Sequence, residues 1–130
     1  MSRALLDTSV FIARERSRPL GRLPDELAVS VVTIGELELG VLAAVDADQR
    51  AQRADTLALA RAADPIAITE AVMGAFARLT HDCRRAGVRP KILDALIAST
   101  AIEHGLPVVT QDDDFAAMAR VHPRLAVQRV

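Results

Sequence analysis

Asp94 interrupts the apolar run Ile92-Leu93-Asp94-Ala95-Leu96-Ile97-Ala98, and its helical neighbours three, four and seven residues on are Ile97, Ala98 and Ala101. A carboxylate on such a face is expected to be partly buried, which is costly unless a donor, a cation or a metal compensates it. A first-turn acid after Pro90, satisfied by backbone amides, is the structural alternative. Asp7 directly follows the apolar Leu5-Leu6, and Asp112 lies just beyond Val108-Val109-Thr110. Asp7 also suits a helix N-cap, worth about 1 kcal/mol, and the triplet Asp112, Asp113 and Asp114 suits a first helical turn, where acids complement the dipole. Glu36 closes Thr33-Ile34-Gly35-Glu36, which matches a capping box with Thr33 as N-cap. Glu38, two residues on, points to another face and is expected to be solvated.

The elements that must position these acids alternate between strand and helix. Residues 3–6, 27–32, 66–68, 107–109 and 125–130 read as strands. Residues 7–14, 33–44, 46–63, 69–86 and 92–104 read as helices, with a further short helix after Asp114. Thr69 starts one helix, and Gly87 and Gly105 close two, as left-handed C-caps require. A turn-rich stretch over 17–25, with Pro19, Gly21 and Pro24, separates the first βα unit from the next. Strands separated by helical lengths imply parallel pairing through right-handed crossovers, hence an α/β fold with a central parallel sheet between helices. Such sheets bind ligands at the carboxyl ends of their strands, where Asp7 and Asp112 both fall.

The 130 residues, 51% hydrophobic and 25% charged, fit one domain spanning 1–130 with a sizeable core. The lone Cys83 excludes an internal disulfide framework and any Cys-only metal site, and points to a reducing cytoplasm. No signal peptide or membrane span is expected, since the start lacks a basic, long apolar leader. Sixteen basic against 17 acidic residues leave a formal charge of -1, so bulk charge announces no nucleic-acid partner. Clustering is more telling: Arg14, Arg16, Arg18 and Arg22 follow the first acid, and Arg84, Arg85, Arg89 and Lys91 precede Asp94. Either cluster could meet phosphate or simply be solvated. With no Trp or Tyr and three Phe, the chain lacks the aromatic platform on which many RNA binders stack bases. His81 and Cys83 point to different sides of a helix, and His104 and His122 have no zinc-like spacing.

Taken in order, Leu5-Leu6-Asp7-Thr8-Ser9, Thr33-Ile34-Gly35-Glu36-Leu37, Leu93-Asp94-Ala95-Leu96-Ile97-Ala98 and Val108-Val109-Thr110-Gln111-Asp112-Asp113-Asp114-Phe115 resemble the PIN domain over nearly the whole chain. More narrowly, the chain resembles the VapC-type toxins of toxin-antitoxin pairs. The resemblance implies a PIN-like three-layer sandwich and a metal-dependent endoribonuclease of a type II toxin-antitoxin system. It implies that Asp7, Glu36, Asp94 and Asp112 form the acidic quartet that holds Mg²⁺ or Mn²⁺. Asp114 is a further ligand position, direct or acting through another group. Ser9 and Thr110 match polar positions that orient a carboxylate or a water. The implied partners are RNA, a cognate VapB-type antitoxin and a second copy of the chain, in a homodimer or a hetero-oligomer with the antitoxin. The alanine-rich helices over 33–63 would offer the antitoxin its groove.

The chemistry of the residues agrees with that expectation. Carboxylates about 5–6 Å apart repel by about 3 kcal/mol per pair at an effective dielectric near 20, and a divalent cation removes the conflict. An all-oxygen donor set selects a hard ion. Two other classes remain open. An aspartate-based phosphoryl-transfer domain would use Asp7 as nucleophile, although Asp7-Thr8-Ser9 lacks a second acid of an Asp-x-Asp signature and no Lys follows a late strand. A non-catalytic RNA- or protein-binding α/β module would use the acids only as caps.

Overall fold

A computed structural model describes residues 3–130; Met1 and Ser2, the start of the expected 1–130 domain, lie outside the described residues. Within them β1 (Arg3–Leu6), β2 (Glu26–Ser30), β3 (Pro65–Ile66), β4 (Val108–Thr110) and β5 (Val127–Arg129) form one sheet in the order β3-β2-β1-β4-β5. All pairings are parallel, as the alternation of strand and helix predicts. The register sets Leu5 beside Val108 and Leu6 beside Val109.

Successive residues of a strand face opposite ways, so the central strands β1, β2 and β4 each feed two cores. Leu5, Ala28 and Val108 pack with α4 (Glu70–Arg85), α5 (Ile92–Glu103) and α6 (Asp114–Val121). Ala4, Leu6, Val29 and Val109 pack on the other face with α1 (Thr8–Glu15), α2 (Val31–Leu42) and α3 (Ala47–Arg61). The result is the expected three-layer sandwich. Cys83 is fully buried in the first core and serves as a small apolar side chain.

Helix ends follow local chemistry. Thr69 caps α4 by accepting from the Val72 N–H, Asp46 caps α3 through the Gln49 N–H, and Gly87 and Gly105 take positive φ after α4 and α5. One expectation is corrected. Thr33 is not an N-cap, and Glu36 does not return to its amide. The strand expected over 27–32 stops at Ser30, whose hydroxyl accepts from Val32 N–H at 3.0 Å and starts α2 at Val31. A nearer hydroxyl thus takes the capping role, which places Thr33 and Glu36 inside the helix and frees both side chains for other partners.

Candidate active site

From β1 the chain winds through β2 and β3 to one side, and through β4 and β5 to the other, so the order reverses between β1 and β4. Connections diverge there and leave a crevice at the carboxyl ends of the two strands. Asp7 follows β1 at that point, 3% exposed, and its N–H donates to the Val109 carbonyl at 2.9 Å. Although Asp7 stands at the N-cap position of α1, its side chain makes no capping bond. Instead Ser9 Oγ and Thr110 Oγ1 both donate to its Oδ2, at 2.7 and 3.0 Å. Thr110 Oγ1 also accepts from the Asp112 N–H at 3.0 Å, which ties the loop after β4 to the same carboxylate. Burial pushes the Asp7 carboxyl above its ordinary pKa; the two hydroxyls oppose that rise, and the charge of Asp112 adds to it.

Glu36 is brought in by α2. Its Oε1 accepts from Thr8 Oγ1 at 2.7 Å, and Thr33 Oγ1 lies 2.9 Å from the same hydroxyl. A hydroxyl has one hydrogen, so Thr8 spends it on Glu36 and Thr33 donates to Thr8. Asp94, in the first turn of α5, is half-buried. Its carboxyl is pushed up to about 6, first by burial and then by the charges of Asp7, Asp114 and Glu36, with Lys91 pulling the other way. Acids from α2, α5 and the two strand ends therefore feel one another. Asp7, Glu36, Asp94, Asp112 and Asp114 together line one open cavity of about 640 Å³.

A PIN domain family model matches residues 4–121. The chain belongs to the PIN-domain family. A curated relative, Ribonuclease VapC8 of Mycobacterium tuberculosis, is 62% identical over 99 residues, covering 75% of this chain and 88% of that protein. Ribonuclease VapC4 of the same organism is 48% identical over 121 residues, covering 92% of this chain and 93% of its own. Among solved structures, VapBC-5 from Mycobacterium tuberculosis, a member of the VapBC family of toxin-antitoxin systems, superposes with a TM-score of 0.89 at 39% identity over 100% of both chains.

In this PIN domain the expected arginine cluster divides. Arg18 lines the acidic cavity. Arg16 lines a neighbouring hollow that shares Glu36, Arg22 faces another beside Gln128 of β5, and Arg14 is exposed on α1 and lines none of these three. From the second cluster, Lys91 reaches the acidic cavity, and Arg89 lines an adjoining one that shares Lys91, Asp94 and Asp114. Sequence reasoning missed Thr8, the hydroxyl that holds Glu36; its place beside Asp7 at a helix start was the available signal. It also missed His122, whose Nδ1 lies 2.8 Å from Asp82 Oδ2 between α6 and α4.

The donor set fits a hard divalent cation, being all oxygen and mutually repelling. Among the described residues no three His, Cys, Asp or Glu side chains close around a single point. Mg²⁺ does not require such a cage, because it keeps several waters and takes one or two carboxylates together with substrate phosphate. Among the described residues no helix is long and apolar enough to cross a membrane.

Proposed function

We propose that this PIN domain is an endoribonuclease toxin of the VapC type, which hydrolyses RNA phosphodiester bonds with Mg²⁺ or Mn²⁺ in the cytoplasm. The observation that carries the proposal is the convergence of five carboxylates on one cavity at the sheet's switch point. Its relatives named as ribonucleases support the reaction class. The free thiol of Cys83 is compatible with a reducing compartment.

Asp7, Glu36, Asp94 and Asp112 would hold the cation, one or two directly and the others through its waters, with Asp114 on the same wall. When bound, the cation supplies Lewis acidity toward the attacking water and the phosphodiester. The chain's own residues prepare that event. Ser9 and Thr110 fix Asp7 and keep its charge tolerable in a buried position. Thr8 aims Glu36. Asp94 holds a proton on its carboxyl near pH 6 and below, and must release it before a cation is taken. Arg18 and Lys91 on the cavity wall draw the phosphate toward the acids.

A VapB-type antitoxin and a second copy of the chain complete the proposal, as a homodimer or a hetero-oligomer. Support comes from the VapBC assembly of the similar structure and from apolar side chains left in water on and just after α2: Leu39 at 66%, Leu42 at 76% and Val45 at 84% exposed.

The test incubates purified chain, freed of any antitoxin, with total cellular RNA in Mg²⁺, in Mn²⁺ or in chelator, beside Asp7→Asn. Cleavage is expected only for the unmodified chain and only with a cation. Equal cleavage in chelator, or by the variant, overturns the mechanism.

A further inference from the structure

Gln111 is bonded to several segments at once. Its backbone N–H donates to Ser9 Oγ at 3.0 Å, and Ser9 donates onward to Asp7. Its side-chain Nε2 donates to the Val130 main-chain oxygen at 2.6 Å and to the Pro19 carbonyl at 3.2 Å. Its own carbonyl accepts from Arg129 Nε at 3.2 Å. Both side-chain partners only accept, so the two hydrogens of the amide nitrogen are the group that serves them.

The consequence lies one residue before Pro19. Proline locks its own φ and restricts the residue ahead of it, so Arg18-Pro19 behaves as a stiff unit. Arg18 is the member of its cluster that lines the acidic cavity. The Arg18 N–H donates to the Ala13 carbonyl at 2.8 Å, which ties the start of the loop over 17–25 to α1, but the loop itself contains no helix or strand and its remainder needs other anchors. It lies close against the end of β5, where a Cβ on Gly21 would stand 3.4 Å from Val130 Cα. The Gln111 amide bridges these two neighbours and fastens both to the loop that carries Asp112.

We propose that the Gln111 side chain is a positioning residue for substrate: by holding the Pro19 carbonyl and the Val130 main-chain oxygen it sets Arg18 over the acidic cavity to receive an RNA phosphate. This rests on the RNA-cleaving function proposed above. The division of labour within Gln111 makes it separable. Its backbone N–H supports Ser9 and Asp7 and survives any side-chain change, while its amide serves the arginine loop.

The experiment measures kcat and KM for a single-stranded RNA, and the affinity of a labelled RNA oligonucleotide in chelator, across a series of salt concentrations. The variants are Gln111→Met, which keeps length and bulk but donates nothing, Gln111→Ala, Arg18→Ala and the Gln111→Met/Arg18→Ala double. Arg18→Ala should weaken binding several-fold and lower the salt slope by about 1. Gln111→Met and Gln111→Ala should each reproduce most of that loss, raising KM more than they lower kcat, and the double variant should bind no worse than Arg18→Ala. A Gln111→Met enzyme with wild-type KM and salt slope overturns the proposal, as do losses that simply add in the double variant. Absence of RNA binding by the unmodified chain overturns it too. Binding without cleavage removes the proposed function instead, and the affinity series still decides the role of Gln111.

Discussion

Thr110 and Asp7 stand 103 residues apart in the chain, yet the threonine hydroxyl reaches the aspartate Oδ2 at 3.0 Å in a buried contact. The sheet register produces this meeting. Leu6 is paired with Val109 across adjacent parallel strands, so the next residue of each strand emerges at the same edge. A carboxylate placed there loses its water, and the hydroxyls of Thr110 and Ser9 replace part of it. Both donors fall on one oxygen, and among the described residues no side chain donates to the other.

Thr110→Val tests that replacement, since valine keeps the shape and removes the hydroxyl. Asp7 already has a raised pKa, and a lowering influence is taken away, so its carboxyl moves further up. The acid limb of the pH dependence of kcat/KM should shift to higher pH, and stability at pH 7.5 should fall by about 1.5 kcal/mol, the scale of a hydrogen bond to a charged group. Denaturant unfolding and a pH–rate series measure the two effects. An acid limb left in place would show that Thr110 does not govern the ionisation of Asp7.

Asp94→Asn should separate stability from activity. The folded Asp94 carboxyl titrates near 6, above its ordinary 3.8, so between these values the folded chain holds more protons than the unfolded one. Stability therefore falls as pH rises from about 4 to about 6, and the deficit is fully present above that window. Asparagine cannot ionise and escapes it. In chelator at pH 7.5 the variant should be more stable than wild type, and the difference should vanish below pH 4. The side chain is only half-buried and water screens much of the repulsion, so the gain is put at about 1 kcal/mol, or about 4 °C in Tm. Added Mg²⁺ should raise the wild-type Tm more than that of the variant, while cleavage by the variant drops about 100-fold or more. Thermal melts in chelator and in Mg²⁺ across pH 4–8 are the measurement, and a variant less stable than wild type at pH 7.5 contradicts the account.

The sheet, its parallel sense and the acidic edge were legible because they depend on short-range patterns: apolar runs ending in an acid, and helical lengths between them. The end of β2 was not. Ser30 and Thr33 are both competent caps; the Ser30 hydroxyl takes the helix start, and the Thr33 hydroxyl instead meets Thr8, a partner 25 residues away that no local pattern reveals. The arginine cluster read as one feature, yet Arg14 stays on α1, while Arg16, Arg18 and Arg22 follow the helix in a stretch with no periodicity from which side-chain directions follow and line three different hollows, none of them lined by Arg14. His122 was dismissed for lack of zinc-like spacing, because its partner Asp82 lies 40 residues away and is reached only once α6 packs on α4.

That pair invites its own test. His122 is 8% exposed and sits where α6 ends, while α6 begins at Asp114 on the acidic cavity. His122→Phe fills the space but leaves the half-buried Asp82 carboxylate without its partner. Water reaches the partly exposed Asp82 carboxylate, so stability should fall by about 0.5–1.5 kcal/mol, read as a lower urea midpoint with an unchanged slope. RNA cleavage at 25 °C should fall by less than twofold, since the fold tolerates such a loss well below its melting temperature. A midpoint equal to wild type would mean that the contact adds nothing to the packing of α6 on α4.

Leu39→Ser/Leu42→Ser addresses the surface proposed for the antitoxin. Both leucines project largely into water from α2, outside the residues that line the acidic cavity, so the isolated chain gains little from them by burial. If an antitoxin segment covers them, each lost contact costs the complex about 1–2 kcal/mol, and the double change should weaken association about 30-fold or more. The free chain should keep its melting temperature and its RNA cleavage, because neither core nor carboxylate is touched. Co-expression with the cognate antitoxin gives the cellular counterpart: the double variant should escape neutralisation and arrest growth where the wild-type pair does not. Calorimetric titration of purified chain with antitoxin supplies the affinity, and equal affinities for variant and wild type would remove α2 as the docking surface.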